Sequence, residues 1–303
     1  MLIPRIITAV VLLAILAVLL SLKDSFYFAT FVSLASAGAL FEWLRISLNH
    51  PHKSLLAAVI GIVGFAVFVG LYSLLLPSEG SHIVLALSHP VEFQANPWAT
   101  VAFATLITIS FFVSFVWIFI VPMVLYQAKT EVTANSIFHS IFAVFAVLVT
   151  WFSIVMCYTF LGAWFLLSFL IIIWCADIFA YFGGRFFGGS KLAPAISPGK
   201  TRSGALCGIA SVAVWMLLSS FIDGSFAALL VQYIGLLGAV AVGMAMAVVS
   251  IFGDLYESLL KRRAGIKDSS QLLPGHGGVW DRLDSVISVS PIAMIFVFLF
   301  YLQ

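Results

Sequence analysis

The chain has 303 residues, of which 63% are hydrophobic and only 9% charged, whereas soluble globular domains carry roughly a quarter charged residues. With a mean hydropathy of +1.19, no soluble interior could hide so much apolar surface, which excludes a soluble enzyme, a disordered chain and a disulfide-rich secreted domain. The net charge of +2 is too small to argue for nucleic acid.

A transmembrane helix needs about 20 apolar residues, and the chain offers nine runs of that kind: 6–22, 25–41, 54–76, 98–126, 136–157, 160–182, 204–222, 227–252 and 285–302. The first follows Arg5 and leads directly into the second, so it reads as a span and not as a cleaved leader. The break between the fifth and sixth is short enough for a tight helical hairpin. The runs lack the short alternation of a membrane barrel. The fold class is therefore an all-α polytopic membrane protein with about nine transmembrane helices. Placing the N-terminus in the cytoplasm puts 13 of the 14 basic residues inside and leaves only Lys23 outside. The 77–97 loop, with Glu79, Glu92 and no Lys or Arg, then lies outside.

Two regions follow from this pattern. Residues 1–135 hold the N-terminal helices and the external loop. Residues 136–302 form a second region with cytoplasmic loops 183–203 and 253–284. Seven of the 12 acidic residues and nine of the 14 basic ones fall between 177 and 284, so any chemistry belongs to the second half. Cys157, Cys175 and Cys207 sit in or beside apolar runs without the spacing of a zinc site or redox pair.

Three polar clusters share the cytoplasmic face. Asp177 interrupts an apolar helix near its end, where a carboxylate must face protein or a cavity. Tyr181 stands one turn on, and Gly183, Gly184, Gly188 and Gly189 give an open backbone. Ser197, Lys200, Thr201, Arg202 and Ser203 form a basic, hydroxyl-rich turn entering a helix. The first glycine of a phosphate-loop pattern is missing there, which excludes a P-loop NTPase, but such a turn can still bind phosphate. In the second cluster Asp254, Glu257, Ser258 and Lys261 fall along one helix face. The third is Pro274–Gly278 followed by Asp281, Arg282 and Asp284. Carboxylates from two helices with Lys and Arg around them suit a hard cation together with phosphate, not zinc.

The run Ser258, Lys261–Arg262, Lys267–Asp268, Pro274–Gly278, Asp281–Arg282 and Asp284 resembles the signature of the phosphatidate cytidylyltransferase (CDP-diacylglycerol synthase) family. Asp254, Asp177 with Tyr181 and Gly184, and Ser197–Pro198 with Lys200–Thr201 look like further landmarks of that family. The chain differs from the family pattern at Gly199, where a Lys is usual, and at Ser203, where a Glu is usual.

The resemblance implies transfer of a cytidylyl group from CTP to phosphatidate, giving CDP-diacylglycerol and pyrophosphate. It implies Mg²⁺, with a second cation in a dinuclear site, and a homodimer in the cytoplasmic membrane with its active site on the cytoplasmic side. Under it Asp254 and Asp281 are the expected metal ligands, supported by Asp177 and Asp284. Lys261 and Lys267 join them as catalytic residues. Lys200, Thr201, Ser258, Arg262 and Arg282 are the expected phosphate-binding residues. His276 is either a donor to CTP or phosphate, or a loop-organising hydrogen-bond partner. A membrane lipid kinase would instead move the terminal phosphate of CTP to an alcohol, and a transporter would need no CTP.

Overall fold

The computed structural model describes residues 2–22, 24–76 and 96–301. The 77–97 loop lies almost entirely outside the described residues. The described chain is all helical apart from one small hairpin. Its elements are α1 (Leu2–Ser21), α2 (Ser25–Ser47), α3 (Lys53–Leu75), α4 (Pro97–Gln127), α5 (Ile137–Phe187), β1 (Lys191–Ala193), β2 (Ser197–Thr201), α6 (Arg202–Ser219), α7 (Phe226–Arg263) and α8 (Trp280–Tyr301). Among the described residues seven helices are long and apolar enough to cross a membrane, and α1 contributes a shorter apolar stretch, Val10–Ser21.

Glycine sets the two longest helices. α5 has 51 residues and would run about 77 Å if straight, more than twice the roughly 30 Å of a hydrocarbon core. It breaks at Gly162, whose φ of 85° and ψ of 172° lie outside the helical region. Both of its ends meet the same end of α7. His139 Nδ1 lies 2.6 Å from the Tyr256 hydroxyl, and Asp177 lines a cavity with Asp254. The two halves are thus antiparallel arms of a hairpin, turning at 162 and not at the 158–159 gap suggested by hydropathy. α7 breaks in the same way at Gly235. α4 passes Pro122, which cannot donate to the helix ladder, by opening a single π-helical turn over Val116–Ile120.

Close packing adds to hydrogen bonds where α5 meets α6: Ser211 donates to the Cys175 carbonyl at 3.1 Å and Trp215 Nε1 to the Ser168 carbonyl at 2.9 Å. Gly204 and Gly208 lie one turn apart on α6. A Cβ on either would collide with the carbonyl oxygen of Ala180 or Ala176 on α5. These small residues let two backbones touch, which is how apolar helices gain contact in a membrane where no hydrophobic force joins them.

The helix ends sort into two groups. At one end Thr8 donates to the Pro274 carbonyl at 2.9 Å, Ser47 meets Ser140 at 2.9 Å, and the Thr133 amide donates to the Arg263 carbonyl at 3.0 Å. At the other, Ser25 meets the Tyr72 hydroxyl at 2.8 Å, and Tyr158 Oη donates to the carbonyls of Leu19 and Leu22. The first end carries β1–β2 and the 264–279 loop, and with them the polar clusters. Near the first end an aromatic cluster joins three helices: Trp43 stacks on Trp280 at 4.6 Å and packs edge-on against Tyr256.

Much of the 183–203 and 253–284 stretches is helical: helix continues through Phe187 and Arg263 and resumes at Arg202 and Trp280. The expected turn at 197–203 is a strand, β2, that pairs antiparallel with β1 (Lys191 opposite Thr201, Ala193 opposite Ser197) and runs straight into α6.

Gly208→Leu should prise α5 from α6, since overpacking a close contact costs about 1–3 kcal/mol. A thermal melt of the purified protein in detergent should show a clear loss of stability; an unchanged melt would contradict the packing described.

Candidate active site

The site begins with the approach of α7 to α8. Gly253 faces α8 so closely that a Cβ would strike the Ser288 side chain and the Asp284 carbonyl oxygen. That contact brings the next turn of α7 against the first turn of α8. Asp254, Glu257 and Asp284 then offer carboxylate oxygens that all lie within 4.8 Å of one another. The donor set is oxygen alone, with no imidazole or thiolate, and so fits a hard cation such as Mg²⁺.

Lys261 stands between the two helices. Its Nζ lies 3.1 Å from Glu257 Oε1 and 2.7 Å from Asp281 Oδ1, and all three side chains are nearly buried. Asp281 also accepts backbone N–H bonds from Ser269, at 3.0 Å to Oδ2, and from Gly278, at 2.7 Å. Its carboxylate ties the 264–279 loop to α7. The adjacent glycines make room for this. A Cβ on Gly277, whose φ is 84°, would fall on the Asp281 carboxylate.

The opposite wall comes from α5, β2 and α6. Thr201 caps α6, its Oγ1 accepting the Gly204 amide at 3.1 Å. The residue before it, Lys200, pairs with Asp254 Oδ2. Ser203 donates to the Gly188 carbonyl and so pins the end of α5 to the start of α6. A Glu in that position would lose this link. Together these walls enclose a cavity of about 820 Å³.

The structure brings Asp177, Lys200, Thr201, Asp254, Lys261, Asp281, Arg282 and Asp284 to this one cavity. Four other expected residues do not line it. Lys267 is exposed in a shallower depression of about 530 Å³ beside Arg45. Arg262 is exposed, its Nε 3.4 Å from the Ile196 carbonyl. Ser258 is half-buried on α7. The main-chain carbonyl of His276 is clamped by Arg282 Nε at 3.1 Å and Nη2 at 2.9 Å, while its Nδ1 is buried with no hydrogen-bond partner.

Four charged residues line the cavity without being among the expected site residues: Arg185, Lys191, Glu257 and Asp268. Glu257 was placed on the right helix face but not among the ligands. Arg185 and Lys191 were counted only as interior-loop charge, yet both line the cavity. Their place near the glycine-rich turn was the available signal. Glu42 was missed altogether. It is fully buried on α2 and hydrogen-bonded to the loop that holds Asp281.

Residues 3–300 match the Cytidylyltransferase family. A phosphatidate cytidylyltransferase of Haemophilus influenzae is 30% identical over 322 residues, an alignment spanning 98% of this chain and 99% of the relative. Enzymes of the same name match over shorter stretches. That of Rickettsia bellii is 42% identical over 129 residues, 43% of this chain and 55% of the relative. That of Pseudomonas aeruginosa is 44% identical over 127 residues, 42% and 45% of the two chains.

Lys261→Met should leave Glu257 and Asp281 buried without their cation, a loss on the order of 3–5 kcal/mol. Thermal unfolding in detergent reads this, and a variant as stable as the parent would show that Lys261 does not balance those carboxylates.

Proposed function

The chain belongs to the Cytidylyltransferase family, and from that premise we infer that it transfers the cytidylyl group of CTP to phosphatidate, giving CDP-diacylglycerol and pyrophosphate. The observation that carries this reading is a single cavity at the polar end of an apolar bundle, where clustered carboxylates face Lys200 and Arg282. The reaction joins two anions, and its barrier is largely their repulsion. The nucleophile is a phosphate oxygen of the lipid, already ionised at neutral pH, so no Ser or Cys nucleophile is needed. The new bond forms between that oxygen and the α-phosphorus of CTP. The bond to the β-phosphate breaks, and pyrophosphate leaves with the electron pair.

Asp254, Glu257 and Asp284 would hold Mg²⁺, with Asp177 and Asp281 completing the acidic wall that a second cation would use. Bound there, the metal supplies positive charge to the phosphates at the point of transfer. Lys200, Lys191 and Arg282 line the same cavity and offer N–H donors that hold and align phosphate oxygens. Lys261 has a different task. It keeps Glu257 and Asp281 in place from behind. Arg282 fixes the backbone at His276 as well as facing the cavity. Lys267, Arg262, Ser258 and His276 are assigned to the approaches, where Lys267 and Arg262 add positive charge for an incoming nucleotide. The acyl chains stay in the bilayer, which accounts for so apolar a body around a charged reaction.

Taking α1 as a span and the arms of α5 as two gives nine crossings with the polar end in the cytoplasm, where CTP is found. The clustering of the basic loops at that end supports this orientation. A homodimer in the cytoplasmic membrane belongs to the same reading.

Asp254→Asn and Asp284→Asn should each lower the rate at least tenfold, about 1.4 kcal/mol or more of barrier, while the protein stays folded in detergent. Product analysis with phosphatidate and labelled CTP should find pyrophosphate equal to CDP-diacylglycerol; stoichiometric CDP would instead mark a kinase. Single cysteines at Asp223 and Gln271, in a background lacking the native three, should label from opposite sides of intact cells. Labelling from one side would overturn the orientation.

A further inference from the structure

Glu42 lies on α2, far in sequence from every residue assigned above, and is fully buried. Its two oxygens are used symmetrically. Oε2 accepts the Ser269 hydroxyl at 2.8 Å and the Trp280 amide at 2.8 Å. Oε1 accepts the Ser270 hydroxyl at 2.6 Å and the Val279 amide at 3.1 Å. Each oxygen therefore bridges the start of the 269–280 segment to its end. A buried carboxylate is costly unless its lone pairs are filled, and here four donors fill them. One turn further along α2, Arg45 donates to the Ser269 carbonyl. Gly278 makes the approach possible, since a Cβ there would strike the Glu42 carboxylate and Ser269 Oγ.

The clasp connects directly to the cavity. The Ser269 and Gly278 amides, which donate to Asp281, belong to or adjoin the residues that Glu42 holds. The two acceptors share one loop, with Glu42 on its outer side and Asp281 on its inner side. Two of the clasped groups, the Val279 and Trp280 amides, also stand at the start of α8, which carries Asp281 and Asp284. A shift of the loop would move Asp281, and through it Lys261.

We propose that Glu42 is a positioning residue of the transfer reaction: by clasping both ends of the 269–280 segment it sets Asp281 and the first turn of α8, so that a helix of the N-terminal half governs the geometry of the site. This rests on the cytidylyltransferase reading for its activity arm only.

Glu42→Gln tests it with little change in shape. The amide nitrogen replaces one acceptor oxygen. The serine hydroxyl facing it can turn round and accept, but the backbone N–H facing it cannot, so one of the Val279 and Trp280 amides loses its partner. Hydrogen–deuterium exchange on the detergent-solubilised full chain without substrates should show exchange across 278–281 at least tenfold faster, with α3 and α6 unchanged. Steady-state kinetics should show kcat reduced at least tenfold, with KM for CTP within threefold of wild type. Ser270→Ala, which removes one arm and leaves the carboxylate, should give a smaller shift of the same kind and stands in if Glu42→Gln does not fold. Unchanged exchange at 278–281, exchange raised evenly through the whole chain, or an unchanged kcat would each overturn the proposal. A wild-type protein that makes no CDP-diacylglycerol would refute the activity reading, while the exchange experiment would still report on the clasp.

Discussion

Everything at the polar end depends on how closely α7 and α8 approach at Gly253. The two helices carry four of the acidic groups, and those groups lie near one another only because nothing larger than hydrogen stands between the backbones there. Bringing carboxylates together in an apolar body raises their mutual repulsion and strips their water. The structure answers with Lys261 inside the group and Lys200 across the cavity from it. Backbone amides of Ser269 and Gly278 supply further partners to Asp281. The site is thus a balance of charges held at short range by two helices that cannot separate without unpairing them.

Around this pair the rest of the bundle acts as a frame. The α5 hairpin and α6 form one wall through backbone contacts at small residues. β1–β2 delivers Lys200 from a strand capped directly into α6. The aromatic cluster of Trp43, Trp280 and Tyr256 lies at the same end, next in sequence to Glu42, Asp281 and Glu257, and it joins α2, α7 and α8 as a unit. Stacked rings and paired charges together frame the cavity at this end of the molecule.

Much of this was legible in the sequence. The apolar runs are long, so most helix positions follow from hydropathy. The spacing of Asp254, Glu257 and Lys261 announces a shared face because a helix has a fixed period. Asp281 and Asp284 could be placed near the start of the last helix for the same reason. What hydropathy does not encode is which distant groups meet. Glu42 reads as one more charge near a helix end, and its partners are more than 220 residues away. Lys191 and Arg185 read as orientation signals; the β1–β2 hairpin brings Lys191 to the cavity, and the last turn of α5 brings Arg185. In the sequence, Gly277 and Gly278 show only as a thin stretch of backbone beside His276. In the structure they are spaces for two specific carboxylates.

The break at Gly162 has a consequence for how the chain enters a bilayer. Between Glu131 and Asp177 there is no Asp, Glu, Lys or Arg, and the turn itself is formed by Leu161, Gly162 and Ala163. The two arms of α5 can therefore pass from the insertion machinery into lipid as a preassembled pair, with no ionised group carried across. Their charged ends, at Glu131 and Asp177–Arg185, lie together at the polar end of the bundle. The arm that carries Asp177 would then be in place as soon as the hairpin closes, before β2 and α6 are made to complete its wall.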